Sequence, residues 1–352
     1  MNRRRFLTTG LAASLLPALP LAGRALGRVP MPVADMHFHL FFFGRRSAAT
    51  RALAQEMAAG RTTLAAWSLV GDVPWLRFGP RGLTQKGAPR HGAAVEWFNA
   101  ELARVKSYIA AQGLKIVATA ADVDLALNGD PHIVLSVEGA TFVDDGLDQL
   151  QAAHAAGVRQ VQLVHYIRNP IADFQTEKPE HGGLTELGRR VIAECNRLGI
   201  LVDLAHCTPE AVIQALAVST APMLWSHSAI AREGSLPRWS MSATLARQLP
   251  LASARAIAAK GGVVGLWGLR SGTIRTVEAY ADLLSEMADQ LGEDHAAFGT
   301  DMNAIVNPVI ASFADLQRVL ERWERRSMSE ARMRKLAIGN YARALKQAMA
   351  AT

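Results

Sequence analysis

Short apolar runs rich in β-branched residues alternate along the chain with stretches of helical periodicity. The runs fall at 32–36, 115–120, 133–137, 160–164, 200–205, 223–225, 262–266 and 297–300. Helical patterns lie between them at 93–112, 147–156, 184–198, 209–219, 251–260 and 277–291. Such alternation predicts a parallel sheet, and eight units predict an α/β fold of the (β/α)8 TIM-barrel class rather than an open doubly wound sheet. Some boundaries carry chemical marks. Thr208-Pro209-Glu210 places a capping hydroxyl, a first-turn proline and an acid in order, so a helix starts there. Gly113, Gly157 and Gly199 each close a helix just before a strand. The first crossover, 41–114, is long enough to read as an insertion, and its Pro/Gly-rich stretch 73–92 is expected to form a loop over the barrel mouth. From Ser312 onward, two or three extra C-terminal helices are expected outside the barrel.

The opening of the chain breaks this pattern. Arg3-Arg4-Arg5-Phe6-Leu7 precedes a modest apolar run from Leu11 to Ala22 and then small residues. That is the build of a signal peptide, with an apolar run too short to span a bilayer. The RRxFL pattern assigns residues 1–28 to the twin-arginine route, whose export machinery is then a partner. The alternative is an ordinary secretory signal that happens to carry three arginines. Residues 29–352 are left as a single barrel domain, expected in the periplasm or secreted, with no lasting membrane span. The leader's five arginines account for five of the seven net positive charges. The remainder has no clustered basic face of the kind nucleic-acid binding requires. Arg322, Arg325 and Arg326 read as a solvated helix face. Two cysteines, Cys195 and Cys207, exclude a disulfide scaffold and a Cys-rich zinc module. Buried free thiols are the default for them, with a single bridge open in an oxidising compartment.

Active sites of barrels lie at the C-terminal ends of the strands. Strand one ends in Asp35-Met36-His37-Phe38-His39, strand three at Glu138, strand four at His165, strand five at His206, strand six at His227 and strand eight at Asp301. Five of the ten histidines occupy these places. A lone histidine after a strand is more often a capping or core residue. His37 and His39 are more telling together, because alternate residues of an extended chain point the same way. Several imidazoles and two carboxylates converging without a ligand would be costly to bury. Metal binding explains them, and this donor set favours zinc among divalent ions. His91, His132, His154, His181 and His295 are assigned to structure or surface, with His91 on the loop expected over the mouth.

The segments GLTELGRRVIAECNRLGILVDLAHC, LWSHS, FGTD and IGNYARAL, in this order, resemble the membrane (renal) dipeptidase family of the amidohydrolase superfamily. The resemblance runs from about Val33 to Leu345. It implies a (β/α)8 barrel that hydrolyses dipeptides through two zinc ions, and a homodimer. By position it implies that Glu138 bridges the two ions, that His37 and His39 serve one, and that His206 and His227 serve the other. Asp301 would bind or face the metals and shuttle the proton, and His165 would stabilise the oxyanion beside the scissile carbonyl. A hydroxide bridging the metals would attack the amide carbonyl. An arginine downstream of His227 would hold the substrate carboxylate; Arg238 fits by spacing, with Arg232 as its rival.

One departure stands out. The family usually carries His-x-Asp on strand one, where this chain has His37-Phe38-His39, which makes the site one unit more positive. The stretch 166–181 also leaves the family pattern, at the mouth where substrate is chosen. Both keep open a different reaction on the same site, on a lactone, a β-lactam or another amide. A non-catalytic binding protein is disfavoured by the complete ligand set, and a deaminase by the bridging position of Glu138.

Overall fold

Eleven strands, named in chain order, build the described structure: β1 (Val33–Phe38), β2 (Thr62–Val70), β3 (Leu76–Gly79), β4 (Gly82–Gln85), β5 (Lys115–Ile116), β6 (His132–Glu138), β7 (Val158–Gln162), β8 (Leu201–Asp203), β9 (Leu224–Ser228), β10 (Val263–Leu266) and β11 (Ala296–Phe298). The computed structural model describes residues 31–40, 52–80, 82–144, 146–231, 238–272 and 274–350. The leader predicted over 1–28 lies outside them. Among the described residues no helix is long and apolar enough to cross a membrane.

Strands β1, β2 and β6 to β11 run parallel in that order, forming the expected (β/α)8 barrel. The ends meet beyond β11, where Asp301 N donates to the His37 carbonyl at 2.9 Å and His39 N to that of Met302 at 3.0 Å. The strands are buried on both faces, which explains their near-continuous apolar runs. The interior is narrow. A Cβ on Gly265 or Gly299 would fall onto the carbonyl oxygen of Ser226, so only glycine lets these strands close.

The second strand differs from expectation. The run at 115–120 supplies only the two-residue β5, which pairs with β6 at the edge, before a helix begins at Ala120. The barrel's second strand is β2, inside the stretch read as an insertion. Its sequence, TTLAAWSLV, is bracketed by Gly60 and Gly71, but its Thr, Ala and Ser positions make a weaker apolar run than the Val- and Ile-rich strands. Beyond β2, the stretch forms a one-turn helix and the β3–β4 hairpin, whose Phe78, Gly82 and Leu83 line the mouth as expected.

Capping follows the sequence closely. Thr208 accepts from Ala211 N at 3.3 Å, with Pro209 opening the helix Pro209–Val218. Gly199 ends the helix Glu186–Leu198 with φ 72°. The C-terminal helices divide their work. Phe313–Arg325 packs on the outer layer, where Arg322 and Arg326 pair with Asp282 at the surface. The last helix, Asn340–Met349, does not lie outside the barrel. Tyr341 and Leu345 join Met36, Leu64, Val134 and Leu224 in one apolar cluster that closes the floor.

Candidate metal centre and active site

Strand β1 changes phase before the site. Its pairing with β2 shifts between Asp35 and Phe38. Met36 packs in the floor cluster, whereas Phe38 packs against Trp67 and Phe313 on the other side of the strand. The shift leaves both His37 and His39 facing the barrel axis. Ser68 of β2 then fixes both rings. Its carbonyl accepts from His39 Nδ1 at 2.9 Å, and its hydroxyl lies 3.0 Å from His37 Nδ1. A carbonyl only accepts, so His39 carries its proton on Nδ1 and its Nε2 is a bare lone pair when neutral. That lone pair lies 3.0 Å from His37 Nε2.

Glu138, at the end of β6, sits at the centre. Its Oε2 is 3.5 Å from His39 Nε2. Its Oε1 lies 3.5 Å from His37, 3.4 Å from His165, 3.2 Å from His206 and 3.6 Å from His227, in each case at Nε2. Asp301 Oδ1 is 3.2 Å from His39 Nε2. All seven side chains are buried. Asp301 and His206 hold left-handed backbones, φ 55° and 71°. For residues with a Cβ this conformation costs about 1–2 kcal/mol and persists where the surroundings impose it.

Electrostatics sort these groups. Burial lowers the pKa of His206 well below its usual range, and the Arg247 charge adds to it. Burial and the nearby His37 and Arg247 do the same to His227. Both are therefore neutral at neutral pH, the form that ligates metal. Burial opposes the ionisation of Glu138, but the facing imidazoles outweigh it and hold the carboxyl well below its ordinary range. In His39, burial is outweighed by Asp301 and Glu138, and the net shift is upward.

Three sets of donors lie close enough to share an ion: His37 with His39 and Glu138; Glu138 with His206 and His227; and His37 with His227 and Asp301. The crowded lone pairs of the first set repel one another unless a cation or proton lies between them. The chemistry of the donor set therefore fits divalent metal, and Glu138 belongs to two of the three sets.

A profile of the membrane dipeptidase family, peptidase family M19, matches residues 30–352. The chain belongs to the membrane dipeptidase family. Dipeptidase verJ of Clonostachys rogersoniana is 30% identical over 177 residues, covering 49% of this chain and 43% of that relative. Dipeptidase 3 of Mus musculus is 38% identical over 101 residues, covering 27% and 20%. The matched stretches thus span less than half of these relatives' length. Among solved structures, dipeptidase AC, a metallopeptidase of family M19, superposes with TM-score 0.76 at 24% identity over 91% of this chain and 99% of that one. A metallopeptidase from Rhodobacter sphaeroides, liganded with a phosphinate mimic of L-Ala-D-Ala, gives 0.75 at 24% over 91% and 100%. At these identities the likeness is one of fold.

Within this family member, the sequence left three site residues unnoticed. Asp72, just past β2, is fully buried; its Oδ1 lies 2.7 Å from His165 Nδ1, and its Oδ2 accepts from Tyr166 N at 3.1 Å. Burial depresses the His165 pKa, but the charges of Asp72 and Glu138 more than reverse this. Tyr166 and Arg247 complete the wall. Arg238, nominated by spacing, is not brought to the centre. It is exposed and lines a separate groove with Trp239, Ile213 and Pro250. Its rival Arg232 lies outside the described residues.

The remaining histidines stay apart from the centre. His132 Nδ1 meets the Asp130 carbonyl and His295 Nδ1 that of Gly262. His91 is exposed beside Asp144. Cys195 and Cys207 are free and buried.

Proposed function

We propose that this chain is a metal-dependent hydrolase that cleaves dipeptides at a dinuclear centre, with zinc the metal best suited to its donors. The observation that carries the reading is the convergence of the imidazoles of His37, His39, His206 and His227 on the single carboxylate of Glu138. His37 and His39 would hold one ion, His206 and His227 the other, and Glu138 both. Divalent ions at such a site supply a nucleophilic water at neutral pH and polarise a carbonyl.

The chain's own residues do the rest. His165 faces the cavity through Nε2, and Asp72 accepts at its Nδ1. Protonated on both nitrogens, it donates to the carbonyl oxygen as negative charge develops there. Asp301, also on the cavity wall, moves a proton to the leaving nitrogen. The floor helix and buried strands keep bulk water away from the centre on the side opposite the mouth.

Elemental analysis of purified protein tests the reading. Two equivalents of divalent metal and turnover of dipeptides are expected; protein without stoichiometric metal would sink it. The Arg3-Arg4-Arg5-Phe6-Leu7 leader supports export to the periplasm or beyond by the twin-arginine route. Replacing Arg3 and Arg4 with lysine should leave the protein in the cytoplasm.

A further inference from the structure

Beneath the centre, one serine hydroxyl reaches a histidine of each donor pair. Ser226 Oγ on β9 lies 2.8 Å from His227 Nδ1 and 3.3 Å from His37 Nδ1. Ser226, both histidines and the neighbouring Asp203 are fully buried. The direction of these bonds follows from the other side of the rings. A guanidinium only donates, and Arg247 Nη2 lies 2.7 Å from His227 Nε2, so the neutral ring carries its proton on Nδ1. Ligation of a metal through Nε2 demands the same tautomer. His227 therefore donates to Ser226 Oγ. With His37 ligating through Nε2, its Nδ1–H donates to Ser68 or Ser226. Ser226 accepts from the rings, and its own proton must go elsewhere.

Asp203, at the end of β8, is the acceptor within reach. Its Oδ1 takes the backbone N–H of Ser226 and that of Ala205, each at 3.0 Å. Its Oδ2 is buried and has no hydrogen-bond partner among the described residues other than the hydroxyl argued here. Burial raises the Asp203 pKa, and His37 and the Ser226 hydroxyl act against it. For two backbone amides alone, a neutral amide oxygen would serve as well and cost less to bury. A carboxylate gains its advantage where the donors that end on it bear positive charge, as metal-bound imidazoles do. The bond to Ala205 N also anchors the turn just before His206. Ser68 has no such end, since its hydroxyl passes to that of Ser136 at 3.2 Å.

We infer that Asp203 is a positioning residue for the metal centre, acting through the Ser226 hydroxyl to hold His37 and His227 with Nδ1 protonated and Nε2 free to ligate. The two rings belong to different donor pairs, so Asp203 and Ser226 support both ions at once. The inference rests on the metal-hydrolase reading above and adds to it a carboxylate that touches neither metal nor substrate.

Zinc affinity of the full chain, measured by chelator competition, tests it. Ser226→Ala and Asp203→Asn should each weaken binding of both ions by about 10–100-fold. The two residues act in series, so the double variant should fall no more than about threefold below the weaker single. In zinc-saturated protein with isotope-labelled histidines, the His227 Nδ1–H resonance should move upfield in Asp203→Asn, although Asp203 does not touch the ring. Ser226→Ala removes one oxygen and should fold as the wild type does. If Asp203→Asn does not fold, the carboxyl carbon resonance of Asp203 decides, because it should move between wild type and Ser226→Ala. Wild-type affinity in either single variant, losses that multiply in the double variant, a loss confined to one ion, or resonances that stay in place overturn the inference alone. Wild-type protein that binds no stoichiometric zinc sinks the metal-hydrolase reading and the inference together.

Discussion

The two ends of the barrel are built from the same strands and share almost no chemistry. At the floor, Ala34, Met36, Leu64, Val134, Leu201 and Val263 meet Ile338, Tyr341 and Leu345 in one apolar cluster. A few residues along the same strands, the interior carries Ser68, Ser136, Asp203 and Ser226, and then the imidazoles and acids of the centre. Strands β1, β2, β6, β8 and β9 thus place packing side chains at the floor and polar ones toward the centre. Mutations at the two ends should therefore separate cleanly: floor changes should move stability, mouth changes metal and turnover.

The largest effect belongs to Glu138→Gln. The change removes the one negative charge that five imidazole Nε2 atoms share. Metal content should fall below stoichiometry and kcat/KM by more than about a thousandfold, with the circular dichroism spectrum kept. Full metal occupancy in this variant would show that Glu138 is not shared, and the contrast between the ends would lose its centre.

Asp72→Asn should act on the mouth without emptying it. The amide no longer offers a charge to His165 Nδ1, while the other four imidazoles around Glu138 are untouched. An expected drop of about 10–100-fold in kcat, with metal retained, matches the loss of an orienting hydrogen bond on a group that stabilises a transition state. Metal loss instead would make Asp72 part of the metal-holding framework.

These two residues also mark the limit of what the sequence displays. Glu138 was legible because it ends an apolar run, as His165, His206 and His227 do. Asp72 was not. It follows β2, whose Thr-, Ala- and Ser-containing run is a weak apolar signal, and in Gly71-Asp72-Val73-Pro74 it reads as a turn acid. Arg247 reads as one surface arginine among many, and only tertiary packing places it between Tyr166 and Trp267. Arg238 shows the converse, since spacing along a loop does not fix where a side chain ends. The floor was half legible. Its strands were marked by periodicity, but which helix seals it depends on three-dimensional closure, and the last helix was placed outside.

Leu345→Ala probes that seal. Leu345 is fully buried in the floor cluster, and its truncation leaves a cavity that costs about 2–5 kcal/mol. The melting temperature should fall by several degrees. Metal content and kcat measured well below the transition should stay at wild-type values. A fall in either would mean that the floor sets the geometry of the mouth.

Thr208→Ala is the smallest change and lies where the two roles touch. Thr208 accepts from Ala211 N at the start of the helix after β8, and its own N–H donates to the Asp173 carbonyl. It stands two residues beyond His206, whose left-handed backbone turns the ring toward Glu138. Loss of the capping hydroxyl should cost about 1 kcal/mol of stability, and Thr208→Ser should recover most of it. The backbone bonds that hold this loop survive the substitution: Gln175 N to the His206 carbonyl, and Cys207 N to that of Leu204. Metal affinity should therefore match the wild type in a chelator competition. A weakened affinity would show that the helix cap, and not the strand end, holds His206 in place.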